Sequence, residues 1–296
     1  VSGIDGDCIT TATKGTYNLV GTAGTAVGAV TSGFSDTSAL GQARAKLNQY
    51  LAPKDSNRAA QFDSVTMAYI ANGIKGLFLP KAEIEKAWRE GFIGQTAMAT
   101  FYENERTYAH TVGSDVTVAT SSSAAVTDGG TNITMNGSDG NIKAGDVFTV
   151  DGVYACHPET KRAYKHPQQF VATADSTGAV TVSPATILTG PKQNVCKADS
   201  SQLATTDFNS KTLTFVGTAN TTYQHNLMYH KDAFAFVTAD LPLMDDAHKC
   251  VRVQKDGLSL RVWQASDIRN DELLMRIDIL YGFKVLRPEW ACRITN

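Results

Sequence analysis

The sequence predicts an α+β chain with an antiparallel β-barrel or sandwich inserted into it, and three observations carry that expectation. A helical period runs over 38–51, where Leu40, Ala43, Leu47 and Leu51 recur at three- and four-residue steps. From Gly113 to about 206 that period vanishes, and short Val/Ile/Thr/Phe runs alternate with turn signals. The last forty residues then alternate with period two, as half-buried strands do. A length of 296 residues, 42% of them hydrophobic and 19% charged, suffices for one large or two modest domains and excludes general disorder.

In chain order, residues 1–34 are rich in Gly, Thr, Ser and Ala and read as an extended arm with one strand at Tyr17–Val20. Val1 in place of Met leads one to expect a start that is processed, trimmed or incomplete. Asp36 and Ser38 offer caps to the helix over 38–51, which Pro53 ends. Met67–Ile74 and Pro80–Glu90 are helix-compatible, the second with Ile84, Ala87 and Trp88 on one face. Between 114 and 206 the turns are Asp128-Gly129-Gly130, Asn136-Gly137, Asp139-Gly140, Asp151-Gly152 and Gly190-Pro191, and the strand runs place Phe148 and Phe170 in a core. Strand composition continues at Thr212–Val216, Asp232–Ala239, Leu258–Trp263 and Arg276–Leu286. In the last run Ile277, Ile279, Tyr281 and Phe283 are expected to face a core.

Charge names no partner. Twenty-seven basic and 29 acidic side chains give a formal net charge of −2 and are interspersed, so neither a nucleic-acid footprint nor an acidic-lipid footprint stands out. Apolar stretches break well before 18 residues and no signal-peptide pattern opens the chain, which reads as soluble and unsecreted, with no membrane partner. Cys8, Cys156, Cys196, Cys250 and Cys292 form no CxxC pair and are expected as reduced thiols.

The chemistry searches return little. Cys156, His157 and Cys196 offer three zinc ligands without the short paired spacing of structural zinc sites, and buried thiols are the expected reading. Gly21, Gly24 and Gly28 lack the dinucleotide spacing, and no G-x-S-x-G elbow or H-E-x-x-H pair occurs. The histidines are expected to be structural, Asp245-Asp246 near His248 to be a solvated turn, and Asp267, Asp271 and Glu272 to form an ion-pair network with Arg269 and Arg276. No catalytic residue, metal or cofactor is expected, and the chain is not expected to be an enzyme.

Several stretches resemble one family. Gly257-Leu258-Ser259-Leu260-Arg261-Val262, Asp267–Asp271 and Arg276–Glu289 are similar to the major capsid (coat) proteins of short-tailed bacteriophages. Lys75–Gly91, His110–Gly113 and Asn226–Ala235 agree in the same order, and Gly145–Val150 with His157–Lys161 and Gln168–Phe170 resembles the β-barrel domain inserted in those proteins. The resemblance implies the tailed-phage major capsid fold, with spine helix, peripheral and axial domains, and an inserted antiparallel β-barrel domain. On it, 1–37 is an N-terminal arm or extended loop, 38–112 the spine helix and first part of the axial domain, 113–206 the insertion, and 207–296 the return into axial and peripheral domains.

The implied function is a structural shell protein that self-assembles into hexameric and pentameric capsomers around phage DNA. Scaffolding and portal proteins would join during assembly, packaged DNA would be contacted non-specifically, and the product would be the virion capsid, assembled in the host bacterial cytoplasm. The alternative class is a glycan- or surface-binding β-module on a helical scaffold. The residues expected to bridge subunits are Lys161, Arg162 and Lys165 with Glu159, in a basic stretch ending in prolines.

Overall fold

The computed structural model describes residues 2–295, apart from 22, 24–29, 32–33, 36–37, 75–94, 97–98, 137–140, 246–247, 256 and 268. The expected helix over Pro80–Glu90 lies outside the described residues. By contacts the chain divides into two units, 1–233 with 285–296, and 234–284.

The first correction comes at the N-terminus, where Ser2–Gly15 is a helix, α1, and not an extended arm. Its sequence is poor in strong helix formers, so tertiary packing decides the outcome. Ile9, Ala12 and Thr13 are buried, Asp5 lies in the first turn, and the C-terminal carbonyls have a buried partner. That partner is Arg293, whose Nε donates to Thr16 O at 2.7 Å and whose Nη2 donates to Lys14 O at 3.3 Å. Arg293 Nη1 donates to Gly145 O at 2.7 Å, so one guanidinium ties together three distant parts of the chain. Burial pushes its pKa down to about 9, which leaves it charged at neutral pH.

After α1 come β1 (Leu19–Val20), the two-stranded β2 (Val30–Thr31) and β3 (Phe34–Ser35), and α2 (Ser38–Gln49). α2 forms where the period places it and buries Leu40, Ala43 and Leu47. It ends at Gln49, just before Leu51 with φ 57°, and the carbonyls of Ala52 and Pro53 beyond it each accept from the Arg58 guanidinium at 2.8 Å. β4 (Arg58–Phe62) leads into α3 (Ser64–Ile74), where Asp63 accepts from the Thr66 amide at 3.1 Å as an N-cap. β5 (Gln95–Thr96), β6 (Ala99–Glu103) and β7 (Tyr108–Thr111) follow.

These strands join β15 (Thr222–His230) and β20 (Ala291–Thr295) in a seven-stranded mixed sheet of order β1-β20-β15-β4-β6-β5, with β7 also paired to β15. Leu40, Leu47, Phe62, Ile70, Phe101, Met228 and Ile294 make one core of sheet and helix residues, with Phe62 and Phe101 stacked at 5.5 Å.

The chain leaves this sheet at the end of β7 and returns at the start of β15, its antiparallel neighbour. Between them lies a second seven-stranded sheet: β8 (Thr117–Ala119), β9 (Gly130–Thr134), β10 (Val147–Cys156), β11 (Ala163–Ala172), β12 (Ala179–Thr186), β13 (Val195–Cys196) and β14 (Thr212–Phe215). Its order is β8-β14-β10-β11-β12-β9, so it extends past residue 206 to Phe215. A bridge between Thr120 and Met135, with the Asn136 amide 2.8 Å from Ala119 O, joins the first strand of that order to the last. Phe148 and Phe170 are fully buried in its core, 5.9 Å apart, with Phe215 4.9 Å from Phe148. Val147 and Val171 point the other way, onto Tyr17 and Leu19, which is why Val147 and Phe148 are both buried. Gln169 covers the free side of β1, accepting from the Leu19 amide at 3.1 Å and donating to its carbonyl at 2.8 Å.

The crossing points are built from glycine and one buried carboxylate. Asp146 accepts from His110 Nε2 at 2.7 Å, from the Gly113 amide at 3.2 Å and from the Lys143 amide at 2.8 Å. A Cβ on Gly113 would lie 2.1 Å from Asn141 O, and Gly217, at φ +106°, would place one 2.8 Å from Tyr223. The Val112 amide donates to Thr221 O at 3.1 Å and the Asn220 amide to Val112 O at 3.2 Å, so the two crossings are stitched to each other.

The other unit is a four-stranded antiparallel sheet of order β16-β19-β18-β17: β16 (Phe234–Ala239), β17 (Lys249–Lys255), β18 (Leu258–Asp267) and β19 (Glu272–Val285).

Phe148→Ala or Phe170→Ala should lower stability by about 3–5 kcal/mol in a denaturant melt, since each deletes a fully buried ring. Arg293→Met should cost about 3 kcal/mol or more, because it strands three carbonyls in two segments, the end of α1 and Gly145. A melt within 0.5 kcal/mol of the parent chain would show that α1 is held by other contacts.

Candidate assembly surfaces

The loop expected to bridge subunits folds around His157. The His157 amide donates to Arg162 O at 2.9 Å, and its Nδ1 accepts from the amides of Glu159 and Thr160 at 3.1 and 3.2 Å. Lys161 takes a left-handed conformation, φ 57°, which costs a non-glycine residue energy. Its ammonium offsets that cost by donating to Pro158 O at 2.6 Å, Pro191 O at 2.5 Å and Gln193 O at 3.3 Å. Lys161 is therefore turned into its own loop. Glu159, Arg162 and Lys165 are exposed, the last on β11, so the surface offered has one positive charge fewer than composition suggests.

The same turn describes the Cys156, His157 and Cys196 cluster. The two amides occupy His157 Nδ1, while the Cys196 thiol lies 3.9 Å from the carbonyl oxygens of Tyr154 and Ala155. Burial pushes Cys196 up to about 12 and raises Cys156, which keeps both protonated at neutral pH. Among the described residues no three His, Cys, Asp or Glu side chains are grouped to hold a metal. Gly24, Gly28 and Asp246 lie outside the described residues.

The four-stranded sheet holds a second surface, which pattern reading put on the wrong side of solvent. Val251, Val262 and Ile277 form one row across three strands, and Val253, Leu260 and Ile279 the next. Met275 and Leu273 extend the first of these faces along β19, and Phe236 and Tyr281, 6.1 Å apart, add aromatic surface. The period-two reading held, but Ile277 is 60% exposed, Met275 61% and Leu273 64%, while Ile279, Tyr281 and Phe283 are half-buried. Ile277 is thus not a core residue, because within this unit no second layer covers its face.

The opposite face carries a polar cluster around Asp278. Asp278 accepts from Arg261 Nη2 at 2.6 Å, Arg276 Nε at 2.5 Å and Trp263 Nε1 at 3.2 Å, and Arg261 Nη1 donates to Pro242 O at 2.7 Å. Arg261 and Ser259 are buried. Hydrogen bonds from Arg261 first, then Arg276, hold the Asp278 carboxyl below its usual range. This network replaces the expected one: Arg276 pairs with Asp278, and Asp267 instead accepts from the Arg269 amide at 2.9 Å and Asn270 Nδ2 at 2.8 Å in the β18–β19 turn. The sequence carried a signal for it, since Arg261 and Asp278 each sit between two aliphatic residues at strand period.

No described helix is long and apolar enough to cross a membrane. A family model described as P22 coat protein, gene protein 5, matches residues 18–293. No curated protein matches the chain. Among solved structures, a chain from Mycobacterium phage Che8 is similar at 10% identity with a TM-score of 0.44, over 99% of this chain and 58% of that one, so this chain spans little more than half its length.

Lys161→Ala should lower the melting temperature by several degrees, because the left-handed turn loses the three hydrogen bonds that hold it. Arg162→Glu with Lys165→Glu should leave the melt unchanged. A melt indifferent to Lys161→Ala would return that side chain to the exposed set.

Proposed function

The chain belongs to the P22 coat protein family, and from that premise we propose that it builds an icosahedral phage shell by packing against copies of itself in hexameric and pentameric capsomers. The observation that carries the reading is the apolar face of the four-stranded sheet. Burying one Leu, Ile or Met side chain contributes roughly 1.5–3 kcal/mol, and association costs several kcal/mol of lost freedom. A face bearing Leu273, Met275, Ile277, Val251 and Val253 offsets that cost with a margin modest enough for misplaced subunits to leave. Repetition under closed symmetry then multiplies a moderate contact into a stable shell.

The segment 113–206, with its sheet running on to Phe215, is the inserted β-barrel domain on this reading. Its own apolar core, the Thr120–Met135 bridge and the stitched crossings at Gly113 and Gly217 support that assignment. Residues 38–112 would supply the spine helix and the start of the axial domain, and 207–296 the return. Arg162 and Lys165, with Glu159, are the exposed charges of the insertion offered to a neighbour. Exposed pairs of this kind contribute only about 0–1 kcal/mol each, so they would tune closure and not drive it. Scaffolding and portal proteins, and packaged DNA held without sequence preference, are the further partners, with assembly in the host cytoplasm. No observation favours the glycan-binding alternative.

Electron microscopy of the purified chain tests the reading: closed shells, rings or tubes are expected, and a persistent monomer opposes it. Met275→Asp with Ile277→Asp should leave the melt within about 0.5 kcal/mol, as exposed sites do, while abolishing those particles. Normal particles from the double variant would remove this face from the assembly.

A further inference from the structure

Lys46 and His166 meet where the end of α2 lies against β11. Lys46 Nζ is 3.2 Å from His166 Nδ1, and His166 Nε2 is 2.9 Å from Gln49 Oε1. An ammonium only donates, so the contact assigns the tautomer: Nδ1 accepts from Lys46, and Nε2–H donates to Gln49. Tyr164 stacks on the imidazole at 5.4 Å and 8°, and its hydroxyl donates to Gln49 O at 2.8 Å. The Tyr50 hydroxyl donates to Gln168 Oε1 at 3.2 Å and completes the seam.

The seam has an unusual charge balance. Lys46 is only 9% exposed, and among the described residues neither it nor His166 makes an ion pair with a carboxylate. The titratable groups around the pair are Tyr50 from the chain after α2, Tyr164 and Lys165 from β11, and Cys292 from β20. None is negative at neutral or acid pH.

We propose that protonation of His166 is an acid-operated release of α2 from β11. A proton on Nδ1 replaces the acceptor facing Lys46 with an N–H, and two cations then stand 3.2 Å apart in a mostly buried seam. The new N–H has a carbonyl at hand in Pro167 O, 3.1 Å away, whereas the ammonium loses its partner and must seek water. Lys46 is therefore the side chain that leaves.

Burial, and after it the Lys46 charge, lower His166 from its ordinary 6.5, while burial lowers Lys46 to about 8. Both are bases whose folded values lie below their unfolded ones, so the unfolded chain binds more protons and stability rises with pH. As pH falls from about 6.5 toward the folded value of His166, the seam loses stability. Lys46 adds a separate gain between about 8 and its ordinary 10.5. The seam is closed at neutral pH and loosens in mild acid.

Amide hydrogen exchange on the full chain at pH 7.5 and 5.0, corrected for intrinsic rates, tests this. Peptides covering 38–50 and 163–172 should lose protection tenfold or more at pH 5.0. His166→Gln keeps an acceptor and cannot take the proton, so it should keep its protection. In Lys46→Met the acid loss should shrink, and the His166 midpoint followed by NMR should move up while staying below 6.5, because the burial remains. An acid loss absent from the parent chain, or equal in His166→Gln, overturns the proposal. So does a His166 midpoint indifferent to Lys46→Met, the measurement that decides if His166→Gln does not fold.

Discussion

A buried guanidinium that makes no ion pair with a carboxylate among the described residues sets the terms for the larger unit. Arg293 sits on the last strand, and its donors reach the carbonyls that end α1 and the carbonyl of Gly145, just before β10. Burying a charge is expensive unless its donors are answered, so the two sheets and α1 must assume their places together. Gly145 has φ +105°, and a Cβ there would meet His110 at 3.1 Å, so the backbone can come close enough to offer that carbonyl. His110 in turn holds Asp146, the next residue. Arginine, glycine, histidine and aspartate form one chain of dependence from the C-terminal strand to the entry of the second sheet.

The four-stranded sheet follows the opposite logic. On one face Asp278 accepts from two arginines and an indole at once, and on the other Leu273, Met275 and Ile277 stand exposed. A sheet built this way is tied by polar contacts on one face and leaves apolar side chains exposed on the other.

Much of this was legible in the residues. The period over 38–51 located α2 to within two residues, the turn-punctuated stretch located most of the second sheet, and alternation put Phe148 and Phe170 in a core. α1 was missed because its sequence is Gly- and Thr-rich and helical only through its packing and the Arg293 cap. Ile277 was misplaced because period two gives the face a residue shares with its neighbours, never which face meets solvent. The inward turn of Lys161 and the Lys46–His166 seam join residues about 30 and 120 positions apart, a distance at which local pattern is silent. The broad match to coat proteins was readable because it rests on ordered strings and not on side-chain contacts.

The stitched crossings at Gly113 and Gly217 carry an evolutionary consequence. A chain that leaves one strand and re-enters the adjacent antiparallel strand through neighbouring hydrogen bonds presents the host sheet with the same two ends, whatever lies between them. The entropy of closing such a loop grows only as the logarithm of its length, so tripling the excursion costs the host about 1 kcal/mol. Lineages can therefore lengthen, trim or exchange the excursion while the sheet that receives it stays as it is, and sequence drift should run fastest there without unsettling the rest of the coat.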